Sequence, residues 1–290
     1  MLYSKRNFAA NSKIWSGNFN SHFSEILTKV REFGFDGVEI PVEAAEIERT
    51  RLIMSLSEED AAERKLVPII TASGTSSADP SSEDVEIRRR GVKRIKDSID
   101  LCVDLGGSLV CGPLYTVVGV LRYMSEAERR QKFVCISDSL QQASEYAKAR
   151  DVKIAIEPLC RYDTEIINTV AQSMDLINMI GSENLGLLLD TFQMNIEEKS
   201  IYGAIIAAGS KLFHFHACEN DRGTPGTGSV PWNAVAQALA EVKYAGWISI
   251  ESFTPFEKDF SSRMRVWRSL APSQDHIAKE GLAFLKNLFS

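Results

Sequence analysis

Four stretches decide the fold: KIAIEPL (153–159), LGLLLDTF (185–192), LFHFHACE (212–219) and ISIESF (248–253). Each is a short apolar run rich in Leu, Ile and Phe, the composition of a strand buried on both faces, and each gives way to a loop or helix. Each also ends in a side chain able to bind a metal ion: Glu157, Asp190, His216 and Glu251. They lie 33, 26 and 35 residues apart, one strand–helix unit each. A parallel α/β barrel gathers the far ends of such strands around one mouth, so residues distant in sequence meet at one ion.

Outward from these stretches, strand and helix alternate along the whole chain. Residues 20–33 place Phe23, Ile26, Leu27, Val30 and Phe33 on one helical stripe, stopped by Gly34. GVEIP (37–41) reads as a strand, 42–65 as a charged helical stretch, and KLVPIIT (65–71) as the next strand. A Gly/Ser/Asp/Pro-rich loop follows, then a helix over 83–105 ended by Gly106–Gly107, and the strand SLVCGPLY (108–115). Helices are expected over 125–149, 169–181, 198–208, 233–244 and 273–289. With an N-terminal strand around 6–14, eight strands stand in βα order, and the expected fold is α/β: a single (β/α)8 TIM barrel forming one domain over 1–290. No G-x-G-x-x-G follows the first strand and no Walker-type loop occurs, which removes support for a nucleotide fold.

Composition excludes several function classes. The chain is 44% hydrophobic and 25% charged with a net charge of −6, so it offers no field for phosphate backbones or anionic lipid. The basic run Arg88–Arg90, Lys93, Arg94 and Lys96 is interleaved with Ile87, Ile95 and Ile99 at helical spacing and reads as a solvated helix face. No nucleic-acid or membrane partner is expected. Five scattered cysteines without a C-x-x-C pair suit reduced thiols in a cytoplasmic protein. No signal-peptide core or 18-residue apolar run appears.

Three carboxylates and one imidazole make an oxygen-rich donor set that suits Mn²⁺, Co²⁺ or Mg²⁺ and admits Zn²⁺. A strand-end Glu taken singly reads more readily as a surface or capping group; four in phase do not. His214, two residues before His216 on the same strand face, reads as a hydrogen-bonded core histidine. A divalent ion held by a sugar carbonyl and its neighbouring hydroxyl polarises the carbonyl and stabilises an enediolate. Removal of the carbon-bound proton then needs a nearby carboxylate, and two carboxylates on opposite faces invert the stereocentre. Glu157 and Glu251 suit that pair. Arg222, in the Gly-rich loop after His216, offers planar donors for substrate oxygens. Phe253 and Trp15 are candidates for an apolar wall against the sugar.

At these residues the chain resembles the D-tagatose 3-epimerase family, which includes D-allulose (D-psicose) and L-ribulose 3-epimerases. The resemblance runs nearly end to end and is carried by IEPLCRYDTEIINT, LLLDTFQMNIEE, HFHACENDRGTPGTG, ISIESF and MRVWRSL. It implies a (β/α)8 barrel, a Mn²⁺ or Co²⁺ ion, proton exchange at C3 of a free ketose, and homodimers or homotetramers. By motif position it implies metal ligation by Glu157, Asp190, His216 and Glu251, acid–base roles for Glu157 and Glu251, and substrate binding by Arg222. Two positions depart. Asp163 stands where the family has a substrate-contacting Glu, and Gln193 where it has a substrate-binding His. Asp reaches less far than Glu, and Gln cannot titrate. The proton-transfer residues are intact, whereas the end of the site that receives O1 differs. An alternative reading is therefore a related sugar isomerase or lyase acting on a keto-sugar derivative. Four histidines and an acidic surface argue against an endonuclease IV-like phosphodiesterase.

Overall fold

Eight parallel strands hydrogen-bond in sequence order and close, β8 against β1. They are β1 (Asn7–Asn11), β2 (Gly37–Pro41), β3 (Val67–Thr71), β4 (Leu109–Gly112), β5 (Lys153–Ile156), β6 (Leu185–Asp190), β7 (Leu212–His216) and β8 (Trp247–Ile250). The structure, a computed structural model, describes residues 6–46, 49–57 and 65–290. The closed (β/α)8 TIM barrel read from the alternation is the one observed. Strands this short bury both faces: one lies under the surrounding helices and the other fills the barrel with Ala9, Ile69, Leu109, Cys111, Ala155 and Leu188.

The helices are α1 (Phe19–Glu32), α2 (Arg49–Ser57), α3 (Val85–Asp104), α4 (Glu126–Lys148), α5 (Val170–Ile180), α6 (Thr191–Glu197), α7 (Ile201–Ala208), α8 (Trp232–Glu241), α9 (Lys258–Met264) and α10 (Gln274–Leu288). Several of their starts follow from capping chemistry. Ser125 with Glu128, and Thr169 with Gln172, form reciprocal capping boxes on α4 and α5. Gly181, at φ 69°, ends α5 in the left-handed conformation that a side chain resists. The long helix expected over 42–65 is instead a 3₁₀ turn, Val42–Glu46, followed by α2; residues 47–48 and 58–64 lie outside the described residues. Two helices escaped the periodicity, α6 and α9, each only 7 residues long and too short to show a full stripe.

One irregularity sets the site. Leu187 pairs with Leu212 but Leu188 pairs with His214, so β7 carries an extra residue at Phe213. This bulge brings His216 opposite Asp190, where an unbroken ladder would have placed Phe215.

The loop after β3 is held down by α3 at Gly91. A Cβ there would lie 2.4 Å from the Pro80 backbone nitrogen and 2.7 Å from the Asp79 carbonyl carbon. Gly91→Ala gains about 1 kcal/mol of helix propensity, but overpacking against backbone costs typically ~1–3 kcal/mol. We expect a net lowering of the thermal midpoint by a few degrees, measured by calorimetry. An unchanged or raised midpoint would show that the loop yields freely.

Candidate active site

Glu157 follows β5, Asp190 and His216 end β6 and β7, and Glu251 follows β8. Ligand atoms of all four lie within 4.8 Å of one another, and all four side chains are buried. The backbone after β6 turns directly into α6, whose N-cap is Asp190 itself: Oδ1 accepts the Phe192 N–H at 2.8 Å. That leaves Asp190 Oδ2 facing the cluster.

His216 is held from behind. Its Nε2–H donates to Glu39 Oε1 at 3.0 Å, and His214 Nε2–H donates to the same oxygen at 2.7 Å. Asn11 Nδ2 bridges Glu39 Oε2 at 2.6 Å and Glu251 Oε1 at 3.0 Å. His216 Nδ1 is buried and faces the carboxylates, 3.4 Å from Glu251 Oε2, with no well-aligned hydrogen bond. The carboxylate acceptor holds the Nε2 proton, so Nδ1 is the nitrogen that faces the cluster, where its lone pair would serve a bound cation, the usual arrangement of a metal-binding histidine. A buried imidazole lone pair beside three carboxylate groups fits a divalent cation with a preference for oxygen.

Arg222 also enters the cluster. Its Nη1 donates to Asp190 Oδ2 at 2.6 Å and to Glu251 Oε2 at 2.8 Å. The guanidinium lies over Phe192, 4.1 Å from the ring centroid, and Phe253, 4.9 Å from it. Its backbone adopts φ 67°, and the loop that carries it is organised by the buried Glu219. Glu219 accepts the N–H groups of Asn220, Gly226, Val230 and the Trp232 indole.

The two glutamates differ in their surroundings. Burial pushes the Glu157 carboxyl up, and the charges of Glu251 and Asp190 push it further, well above the usual range. Burial acts the same way on Glu251, but His216 and Arg222 outweigh it and hold that carboxyl at about 2. Burial would raise Glu39 too; His216 and the two histidine hydrogen bonds overcome it and leave Glu39 well below the ordinary value. Glu251 is pinned by Asn11 and Arg222, whereas Glu157 accepts no side-chain hydrogen bond among the described residues and borders the open cavity.

That cavity, about 1540 Å³, covers the mouth of the barrel and reaches Gln193, Asp163, Arg222 and Phe253. Gln193 is buried, and its Oε1 accepts the Cys160 N–H at 2.8 Å. Asp163 Oδ1 pairs with Arg265 Nη1 at 2.6 Å, and Cys160 Sγ lies 3.5 Å from Oδ2. Phe253 packs edge-on against Phe260, ring centroids 6.0 Å apart. Trp15 is not brought to this cavity. Its side chain packs on Phe33, and its indole N–H donates to Asp275 of α10 at 2.7 Å, because the 3₁₀ turn after β1 rotates it outward. His214 is the hydrogen-bonded core histidine that its strand position suggests. Glu39, Asn11 and Glu219 escaped the sequence reading. An acid inside the apolar strand GVEIP was the available signal for Glu39.

A family model for the xylose isomerase-like TIM barrel matches residues 27–288. A Synechocystis sp. protein named "Probable ketose 3-epimerase" is 32% identical over 98% of this chain and 97% of its own length. The D-psicose 3-epimerase of Enterocloster bolteae is 31% identical over 95% of this chain and 93% of its own. The crystal structure of a Methylomonas sp. D-allulose 3-epimerase in complex with D-allulose superposes with a TM-score of 0.90 at 27% identity, covering 99% of each chain.

Replacing an outer-shell carboxylate that orients a ligating histidine typically weakens metal binding 10- to 100-fold. Glu39→Gln keeps the shape but removes the charge that fixes the His216 proton. Calorimetric titration of Mn²⁺ is expected to show one site per chain in the wild type, and in the variant an affinity lower by about that factor. Equal affinities would refute the role given to Glu39.

Proposed function

This chain belongs to the xylose isomerase-like TIM barrel family, and we propose that within it the protein is a divalent-metal-dependent ketose 3-epimerase. The observation that carries the reading is the meeting of Glu157, Asp190, His216 and Glu251 within 4.8 Å at the ends of four consecutive strands. These four would hold the ion; Mn²⁺ is our first assignment, with Co²⁺ and Mg²⁺ compatible with the same donors. When bound, the cation supplies positive charge that polarises a ketone carbonyl and makes the adjacent C3–H acidic.

The chain's own residues carry the rest. Glu157 and Glu251, from β5 and β8, are the pair we assign to proton transfer at C3, one on each face of the sugar. Glu157 borders the open cavity and Glu251 is held by Asn11 and Arg222, so the two carboxylates reach the sugar from different strands. Arg222, lying across the cluster, offers its remaining N–H groups to substrate oxygens. Phe253 supplies an apolar wall beneath it. We assign substrate contact also to Gln193 and Asp163, which line the cavity beyond Glu157. A cytoplasmic setting is supported by five buried, unpaired thiols, and no described helix is long and apolar enough to cross a membrane. A homodimer or homotetramer is the assembly we assign by resemblance.

The test is solvent exchange. In D₂O with Mn²⁺, the protein is expected to place deuterium at C3 of a ketose and to form the C3 epimer, both followed by NMR. Glu157→Gln and Glu251→Gln each remove a proton carrier, and losses of about 10²–10⁴ in kcat are expected, with Mn²⁺ affinity measured alongside. Exchange surviving in both variants, or absent from the wild type across a broad ketose panel, would overturn the assignment.

A further inference from the structure

The cavity extends well past the residues assigned above. At about 1540 Å³ it exceeds the ~300–1,000 Å³ of ordinary small-molecule pockets. The metal-ligand candidates occupy the β5–β8 side of the mouth. The opposite side, over β1 to β3, is lined by Lys13, Thr71, Ser73, Thr75 and Arg94.

Lys13 stands apart among the cations lining this space. Arg222 is bound to Asp190 and Glu251, Arg94 to Glu43 at 2.5 Å, Arg265 to Asp163 at 2.6 Å, and Arg268 faces Asp221 at 3.5 Å. Arg263 is exposed and lies over the Phe260 ring. Lys13 is half-buried, and among the described residues no carboxylate is within ion-pair reach of its ammonium and no acceptor hydrogen-bonds to it. Its position is fixed by the backbone. Asn11 caps the 3₁₀ turn by accepting the Lys13 N–H at 3.0 Å, and the Lys13 carbonyl accepts the Thr254 N–H at 3.1 Å. A partly desolvated ammonium without a counter-charge, on a rigid turn facing a polar cavity, is a site for an anionic oxygen.

We propose that Lys13 binds an anionic end group, carboxylate or phosphate, on the keto sugar whose reacting carbons lie against Glu157 and Glu251. The inference rests on the epimerase reading for the sugar and on the Lys13 geometry for the charge. Lys13 follows β1, the strand that pairs with β8, so the charged end of the sugar lies under Lys13 on the Glu251 side, where Thr71, Ser73 and Thr75 continue the rim, and the carbonyl end lies toward β5 and β6.

Deuterium exchange at C3 is measured for a neutral ketohexose, its 6-phosphate and its 6-carboxylate, using Mn²⁺-loaded wild type, Lys13→Met and Lys13→Arg. In parallel, inorganic phosphate is titrated calorimetrically into the metal-free proteins. The expected result is a kcat/KM at least tenfold higher for one of the two anionic sugars than for the neutral one. That preference should disappear in Lys13→Met and survive in Lys13→Arg, and the better anionic sugar identifies the group. Phosphate binding should weaken at least tenfold in Lys13→Met. A neutral sugar that is processed as well as the charged ones overturns the proposal, as does a Lys13→Met loss equal for all three. Should no sugar exchange at all, the epimerase reading fails while the phosphate titration still judges Lys13: unchanged or undetectable binding refutes the anion site.

Discussion

Glu39 is a carboxylate with no exposure to solvent, set inside the barrel beneath the mouth. An isolated charge there would be prohibitive, and a buried carboxylate persists only when donors saturate it. His214, His216 and Asn11 supply those donors from β7 and β1. The consequences run upward. Because His216 donates its Nε2 proton downward, Nδ1 is the nitrogen presented to the cluster. Because Asn11 also reaches Glu251, the same network holds one of the two candidate proton carriers in place. Three neighbouring strand ends, those of β7, β8 and β1, are thereby tied to one buried charge on β2.

Above Glu39 the cluster collects Glu157, Asp190 and Glu251 at short range, and their repulsion is uneven. Asp190 and Glu251 share the Arg222 guanidinium, while Glu157 faces its neighbours without a hydrogen-bonded cation. Desolvation and the negative charge of Glu251 therefore fall mainly on Glu157. A divalent ion held by Glu157, Asp190, His216 and Glu251 would offset that repulsion by adding positive charge where the carboxylates converge. The site is built so that one glutamate is fixed and ionised by protein groups while the other depends on what enters the cavity.

Much of this was legible in the sequence because the barrel repeats. Four apolar runs with a ligand at the same end, one βα unit apart, report both the parallel closure and the meeting of their ends. What the sequence does not report is lateral. Glu39 lies in GVEIP and Asn11 in NFAAN, and strand periodicity says only that they share faces with apolar neighbours. Their partnership with His216 depends on register across the closed sheet and on the extra residue at Phe213. Trp15 shows the opposite error. Its place after a strand suggested the mouth, but a three-residue 3₁₀ turn rotates it onto Phe33 and α10. The short helices α6 and α9 were hidden because seven residues cannot display a helical repeat.

The departures at Gln193 and Asp163 acquire meaning from their partners. A carboxamide can present either its oxygen or its NH₂, and the Cys160 backbone N–H removes that freedom by claiming Oε1 at 2.8 Å. Gln193 therefore turns its NH₂ away from the Cys160 backbone as a donor that no pH change can alter. Asp163, one methylene shorter than Glu, is drawn to Arg265 across the cavity. The Gly119 N–H donates to its carbonyl, so the loop after β4, the loop after β5 and the end of α9 are tied at one point. A neutral donor beside a neutralised acid favours an oxygen that accepts hydrogen bonds and gives no reward to a cationic group. Together with the free ammonium of Lys13 on the far side, this makes the cavity donor-rich at both ends, complementary to a substrate whose terminal groups are acceptors.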